Sequence, residues 1–228
     1  MKKILFSLLF LVSAYGENVS WEQYKKNVLQ KQADIPGWCI RQKAEALMDF
    51  IYETKPSQCI EIGTLAGSTT FPMVHALKFL GSGVLYAIDA WDNEACLEGL
   101  EPGDPNLTWW PSLKIDMDQT YQFFLRWLAN LELKNICFPL RMRSEQAILF
   151  FDDESIDLLY IDGNISESGG MQDVTLYFPK VKTGGFIWLN LADLHTKHEI
   201  VAFLLERCKW VKEKSVGVHC ILFQKEGN

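Results

Sequence analysis

Cys59-Ile60-Glu61-Ile62-Gly63-Thr64-Leu65-Ala66-Gly67-Ser68-Thr69-Thr70 reads as a short apolar strand closed by an acid, then a turn holding two glycines, then hydroxyl residues that open a helix. Glycine lets the backbone turn tightly and approach a ligand, and the free N–H groups at the start of the following helix suit an anionic group. The next apolar run ends in Asp89, within Tyr86-Ala87-Ile88-Asp89-Ala90-Trp91. An acid at the tip of the second strand of a doubly wound sheet is placed to accept hydrogen bonds from both hydroxyls of a ribose. Each signal alone also fits a plain glycine turn and an exposed acid. Together, in strand, turn, helix, strand order, they point to a nucleoside site.

Outward from this stretch, short apolar runs alternate with amphipathic ones. Strands are expected at 59–62, 84–88, 136–140, 156–161 and 186–191, and helices near 69–79, 119–131, 171–181 and 197–208. Alternation of this kind implies an α/β fold, a doubly wound and mostly parallel seven-stranded sheet with helices on both faces. The last two runs, 211–216 and 219–224, are separated only by Gly217 and Val218, too few residues for a helical crossover, so they are expected to form an antiparallel edge hairpin. Before the first strand, Trp21, Tyr24, Val28 and then Ala44, Leu47, Met48, Ile51 recur at helical steps with a break at Pro36-Gly37, which predicts an N-terminal helical cap over residues 17–57 ahead of a main domain at 58–228. Residues 92–114, with Pro102-Gly103-Asp104-Pro105 and Trp109-Trp110, read as one long irregular segment, and loops of that length are commonly functional.

Composition bounds the function. The chain has 228 residues, 48% hydrophobic and 22% charged, with a formal net charge of −7. A globular, acidic chain without a Lys/Arg block lacks the basic stripe that nucleic-acid backbones require, so nucleic acid is not an expected partner. Lys2-Lys3, the apolar run Ile4–Val12 and Ser13-Ala14-Tyr15-Gly16 have the three-part order of a bacterial-type signal peptide over residues 1–16, which predicts export to the periplasm or medium and a mature chain starting at Glu17. The run is too short for a membrane span. The six cysteines, Cys39, Cys59, Cys96, Cys137, Cys208 and Cys220, form no C-x-x-C pair; Cys59 and Cys137 are expected as buried thiols, while Cys208 and Cys220 can pair if the chain folds back between them.

The combination Glu61-x-Gly63-x-x-x-Gly67-Ser68, Asp89, Ile156-Asp157-Leu158-Leu159-Tyr160-Ile161-Asp162-Gly163-Asn164 and Val181-Lys182-Thr183-Gly184-Gly185 resembles the class I S-adenosylmethionine-dependent methyltransferases, and within them the small-molecule O-methyltransferase branch that includes the macrolide-sugar enzymes. A nicotinamide-binding domain would instead carry G-x-G-x-x-G after its first strand. The resemblance spans about residues 58–224 and implies methyl transfer to a hydroxyl of a small molecule. It also implies that Glu61, Gly63, Gly67 and Ser68 lie along the methionine part of S-adenosylmethionine, that Asp89 holds its ribose, that Trp91 and Ser144 border its adenine, and that Asp162 faces the sulfonium and the acceptor. Carboxylates suit a ligand carrying sulfonium and ammonium charges.

The chain departs from the metal-dependent members of this branch, whose fourth strand ends like Asp-Gly-x-His-x-Tyr and whose fifth ends in an acid pair or Asp-Asn. Here those positions read Asp162-Gly163-Asn164-Ile165-Ser166-Glu167 and Asn190-Leu191. Asp162 and Asn190 alone are a thin set for magnesium, which requires near-octahedral oxygen ligation. Glu167, Asp193, His195 and His198 lie near enough in sequence to stand in, although such residues more often start helices. Two readings follow. One is an active O-methyltransferase with Asp162 orienting the acceptor and His195 as base; the other is a secreted pseudoenzyme that keeps the fold as a binding protein. Export with a cytosolic cofactor suggests delivery to a host cell. Trp109-Trp110 and the N-terminal helices are expected to close over the small-molecule acceptor, a homodimer contact being the rival use of those helices.

Overall fold

The computed structural model describes residues 19–190, 198–216 and 220–227. The signal segment 1–16, Leu191, Asp193, His195 and the expected turn at Gly217-Val218 lie outside them. The elements run α1 (Trp21–Gln32), α2 (Arg41–Thr54), β1 (Gln58–Ile62), α3 (Thr70–Leu80), β2 (Val84–Asp89), α4 (Asn93–Leu97), α5 (Asn106–Ser112), α6 (Met117–Asn130), β3 (Cys137–Arg141), α7 (Ser144–Ala147), β4 (Ile156–Ile161), α8 (Glu167–Tyr177), β5 (Val181–Asn190), α9 (His198–Leu205), β6 (Cys208–Trp210) and β7 (Cys220–Lys225). They build one seven-stranded sheet in the order β3-β2-β1-β4-β5-β7-β6. The first five strands are parallel, and β7 runs antiparallel to both β5 and β6.

Each central strand supplies both faces of the sheet. Cys59, Leu158, Tyr160 and Trp188 point into a core closed by α1, α2, α3 and α6, whereas Ile60, Leu159, Ile161 and Ile187 point into a second core closed by α7, α8 and α9. Strands buried on both sides have to be apolar throughout, which is why their sequences read as unbroken runs. The N-terminal helices share the first core: Trp21 stacks on Tyr52 at 4.4 Å, and Phe50 meets Trp188 edge-on at 5.4 Å. Lys25 joins α1 to α2 through Asp49 at 2.8 Å.

Three expectations change. The edge strand is β6, Cys208–Trp210, rather than 211–216; a short 3-10 turn at Lys212–Lys214 follows it, and Cys208 pairs with Lys225. Val211 still donates to Leu222 O at 2.8 Å, so the antiparallel edge survives with its register moved toward the N-terminus. Cys208 and Cys220 face opposite cores, which prevents their pairing, and all six cysteines are free thiols. The segment 92–114 is not irregular but carries α4 and α5. Asp92 caps the first, accepting the Glu94 N–H at 2.8 Å, and Pro105 precedes the second, where a missing N–H costs nothing.

Candidate active site

Sheet order reverses at β1, with β2 on one side and β4 on the other, and open α/β sheets bind ligands beyond the C-terminal ends of their strands at such a point. A cavity of about 860 Å³ lies there. Gly63, Asp89, Asp162 and Asn190 line it from the ends of the strands, Ser144 from the start of α7, Ser68 from the turn before α3, Lys43 from α2, and Trp38, Trp109 and Trp110 from above.

The turn after β1 is held by Asp89. One carboxylate oxygen accepts the N–H groups of Thr64 at 3.0 Å and Leu65 at 2.8 Å, and the other accepts that of Trp91 at 2.6 Å. Leu65 and Trp91 both adopt left-handed backbone, with φ of 50° and 46°, and the Trp91 indole N–H closes the unit on Leu65 O at 2.8 Å. Such conformations persist where surrounding bonds over-determine them. Burial pushes the Asp89 carboxyl up, against the pull of the three N–H groups and Arg141. Two carboxylate oxygens accept about four hydrogen bonds, so roughly one position is left toward the cavity.

Several residues expected at the ligand lie elsewhere. Glu61 is fully buried beneath the turn, taking the hydroxyls of Thr70 and Thr64, and its Oε1 has no partner among the described residues. Burial, reinforced by Asp162 and Asp89 and opposed by Thr70, pushes its pKa up to about 8. Gly67 is also off the cavity wall; at φ 89° a Cβ there would sit 2.6 Å from the Trp127 ring, so α6 rather than a ligand demands the glycine. Gly63 is on the wall, and its added Cβ would fall 2.1 Å from Asp162 O, so the close approach of β1 to β4 requires it. Trp91 does not border the cavity but is buried between Tyr121 at 4.5 Å and Phe124 at 5.6 Å. Ser144 is on the wall, with its hydroxyl donated to the buried Asp173. Arg143 pairs chiefly with Glu98 and only at 3.9 Å with Glu145.

Among the metal candidates, Asn190 Nδ2 donates to Asp162 Oδ1 at 2.6 Å, and Asn190 Oδ1 accepts from Lys43 Nζ at 3.0 Å. Glu167 accepts the Glu199 N–H at 2.7 Å and so ties α8 to the start of α9, where the exposed His198 also sits. Among the described residues, no three His, Cys, Asp or Glu side chains converge as a metal site.

The roof was only partly legible beforehand. Gly37, at φ 142°, lets the chain lie directly on Ser68, where an added Cβ would be 2.2 Å from the hydroxyl, and this brings Trp38 over the cavity. Trp38 lies 5.8 Å from Trp109 and 5.9 Å from Trp110 between ring centres. Asn164 fastens α4 by donating to Ala95 O at 2.9 Å and Glu98 O at 3.0 Å. Lys43 was missed altogether. Its signal is a lysine in the apolar stripe of α2, four residues before Leu47 and eight before Ile51, both fully buried.

A family model described as a methyltransferase domain matches residues 60–190, more than half of the chain, from the middle of β1 to the end of β5. The chain belongs to this methyltransferase family. No curated protein sequence matches it. Solved structures similar to the methyltransferase include the O-methyltransferase from Bacillus cereus in complex with S-adenosylhomocysteine (12% identity, 92% of this chain and 93% of that one, TM-score 0.58). TomG from Streptomyces achromogenes, an O-methyltransferase involved in tomaymycin synthesis and solved with S-adenosylmethionine, is similar at 12% identity over 92% of each chain with a TM-score of 0.59. A methyltransferase from Geobacter sulfurreducens is similar at 13% identity over 95% of this chain and 92% of that one, with a TM-score of 0.56. At these identities the likeness concerns the fold, which the methyltransferase shares nearly end to end.

Proposed function

We propose that this methyltransferase uses S-adenosylmethionine to methylate a hydroxyl oxygen of a small molecule. The observation that carries the reading is the Asp89-clamped turn opening onto a cavity of about 860 Å³, within the range of small-molecule and cofactor sites. Gly63, Thr64, Leu65, Asp89, Ala90 and the 142–144 segment would hold the cofactor, with Asp162 toward the acceptor. The residues fit it: an acceptor position on Asp89 suits a ribose, and the carboxylates of Asp89 and Asp162 on the cavity wall suit a methionine moiety that carries sulfonium and ammonium charges. When bound, S-adenosylmethionine supplies an electrophilic methyl group on a sulfonium.

The chain itself aligns the reactants and keeps water out, the main source of acceleration when the methyl donor is already activated. Trp38, Trp109 and Trp110 supply broad apolar surface over the acceptor side, which favours a small molecule with a planar or apolar body. Magnesium has no part in the reading. Asn190 Oδ1 already accepts from the Lys43 ammonium, and among the described residues no three His, Cys, Asp or Glu side chains converge to hold a metal.

Calorimetric titration with S-adenosylmethionine and S-adenosylhomocysteine tests the reading, wild type against Asp89→Ala. Binding that disappears in the variant supports it; a folded wild type that binds neither compound refutes it. Export through residues 1–16, and meeting the cofactor inside a host cell, form part of the proposal on the strength of Lys2-Lys3 and the run Ile4–Val12. Mass spectrometry of the natural protein should find an N-terminus at Glu17.

A further inference from the structure

Lys43 is 3% exposed, lines the cavity and lies in the first turn of α2. Both placements are costly. A buried ammonium loses its hydration, and a positive charge at a helix N-terminus opposes the helix dipole. Its bond to Asn190 Oδ1 engages one of three N–H groups, and Tyr160 presents its ring 5.8 Å away. The direction of that bond is determined by its ends. Lysine only donates and the Asp162 carboxylate accepts from Asn190 Nδ2, so the amide between them has one workable orientation.

We propose that Lys43 is the acceptor-oxygen subsite: its ammonium, aimed by Asn190 at the cavity wall, holds the oxygen of an acidic, phenol- or enol-type hydroxyl in its anionic form. The subsite is assembled from distant parts of the chain. α2 supplies the cation, β5 supplies Asn190 to aim it, β4 supplies Asp162 to fix Asn190, and the tryptophans cover the ring that carries the oxygen. A buried cation beside an open cavity is a strong attractor for an oxyanion, because hydrogen bonds to a charged group are the strong ones. The inference rests on the methyltransferase reading, since it concerns the acceptor side of the same cavity.

The test uses the full mature chain saturated with S-adenosylhomocysteine in the presence of EDTA and titrated with 4-nitrophenol, whose ionised form is followed by its visible absorbance. Nitrobenzene, which lacks the oxygen, is the reference. Lys43→Met removes the ammonium at similar length, and Lys43→Gln keeps a donor for Asn190 while removing the charge. The expected result is nitrophenolate binding to wild type that weakens by about 10- to 100-fold in both variants, the worth of one charged hydrogen bond. S-adenosylhomocysteine and nitrobenzene should bind all three proteins alike, which also verifies folding. Equal nitrophenolate affinity in wild type and Lys43→Gln, no nitrophenolate binding by wild type, or binding that needs magnesium would each overturn the assignment of Lys43. Failure of wild type to bind S-adenosylhomocysteine would instead remove the cofactor reading beneath it.

Discussion

The Asp89 carboxylate at the end of β2 accepts the Leu65 N–H at 2.8 Å, so an acid on the cavity wall is also the clamp on the turn after β1. Binding and folding are therefore coupled at one side chain. Asp89→Ala leaves the N–H groups of Thr64, Leu65 and Trp91 without their acceptor, and each unpaired buried donor costs about 1–3 kcal/mol. Urea unfolding without any ligand should show the loss, on the order of 2–4 kcal/mol after partial rehydration. An unchanged midpoint would mean that the turn holds itself.

Glu61 makes stability depend on pH in an unusual direction. Its folded pKa, about 8, lies above the ordinary carboxyl value, so the folded chain binds the extra proton. The contribution is then fully present below the ordinary glutamate range and is lost as pH rises through about 8. Glu61→Gln should raise the melting temperature of the ligand-free protein at pH 9 and change it little at pH 5. A uniform shift across that range would show that Glu61 is not the titrating group.

His75 acts in the opposite limb. Burial, with Lys78 and Lys31 nearby, lowers its pKa to about 4, and its Nδ1 meets the Tyr24 hydroxyl at 2.9 Å. A depressed histidine pKa means that the unfolded chain binds the proton first, so stability is whole above about 6.5 and falls toward pH 4. His75→Phe should flatten the decline between pH 6.5 and 4 in thermal unfolding. An equally steep decline in the variant would place the acid sensitivity elsewhere.

Gly67 separates packing from ligand contact. Gly67→Ala places a methyl group 2.6 Å from Trp127 and 2.8 Å from Phe124 at φ 89°. Destabilisation of about 2–4 kcal/mol is expected from strain and overpacking. Chemical denaturation measures it, and a variant as stable as wild type would show that α6 can move away.

All six thiols are free, and burial raises each of their pKa values, that of Cys39 to about 11 and that of Cys96 to about 12. Native protein should therefore react slowly with iodoacetamide at pH 8, and denatured, unreduced protein should gain six adducts by mass spectrometry. Four adducts after denaturation would reveal a disulfide.

Much of the fold was legible because parallel strands buried on both faces have to be apolar and short, and because a glycine turn after such a strand is uncommon elsewhere. Asp89 and Asp162 could be placed at strand ends by counting along the runs, and both line the cavity. The edge was less legible. Val211 and Val216 look like strand residues, yet the chain turns between them at Lys212–Lys214, where Lys214 meets Glu53 at 2.5 Å. Helices α4 and α5 were hidden by Pro102-Gly103-Asp104-Pro105, since their order comes from Asn93, Asn164 and Trp110 bonding across the segment rather than from periodicity.

The sequence by itself determined the alternation of strand and helix, the family and the acids at the strand tips, because hydrophobic period and glycine position are local properties of the chain. Only the tertiary structure decided which of those residues reach the cavity. Glu61, Gly67 and Trp91, which the resemblance assigns to the cofactor, lie off the cavity wall, because Glu61 and Trp91 are buried and Gly67 packs against the Trp127 ring. Lys43 and Asn190 lie 147 positions apart and meet at 3.0 Å because α2 and β5 close the same cavity. A contact across that separation leaves no local pattern to read, since it exists only once the sheet is formed and the helix is laid against it.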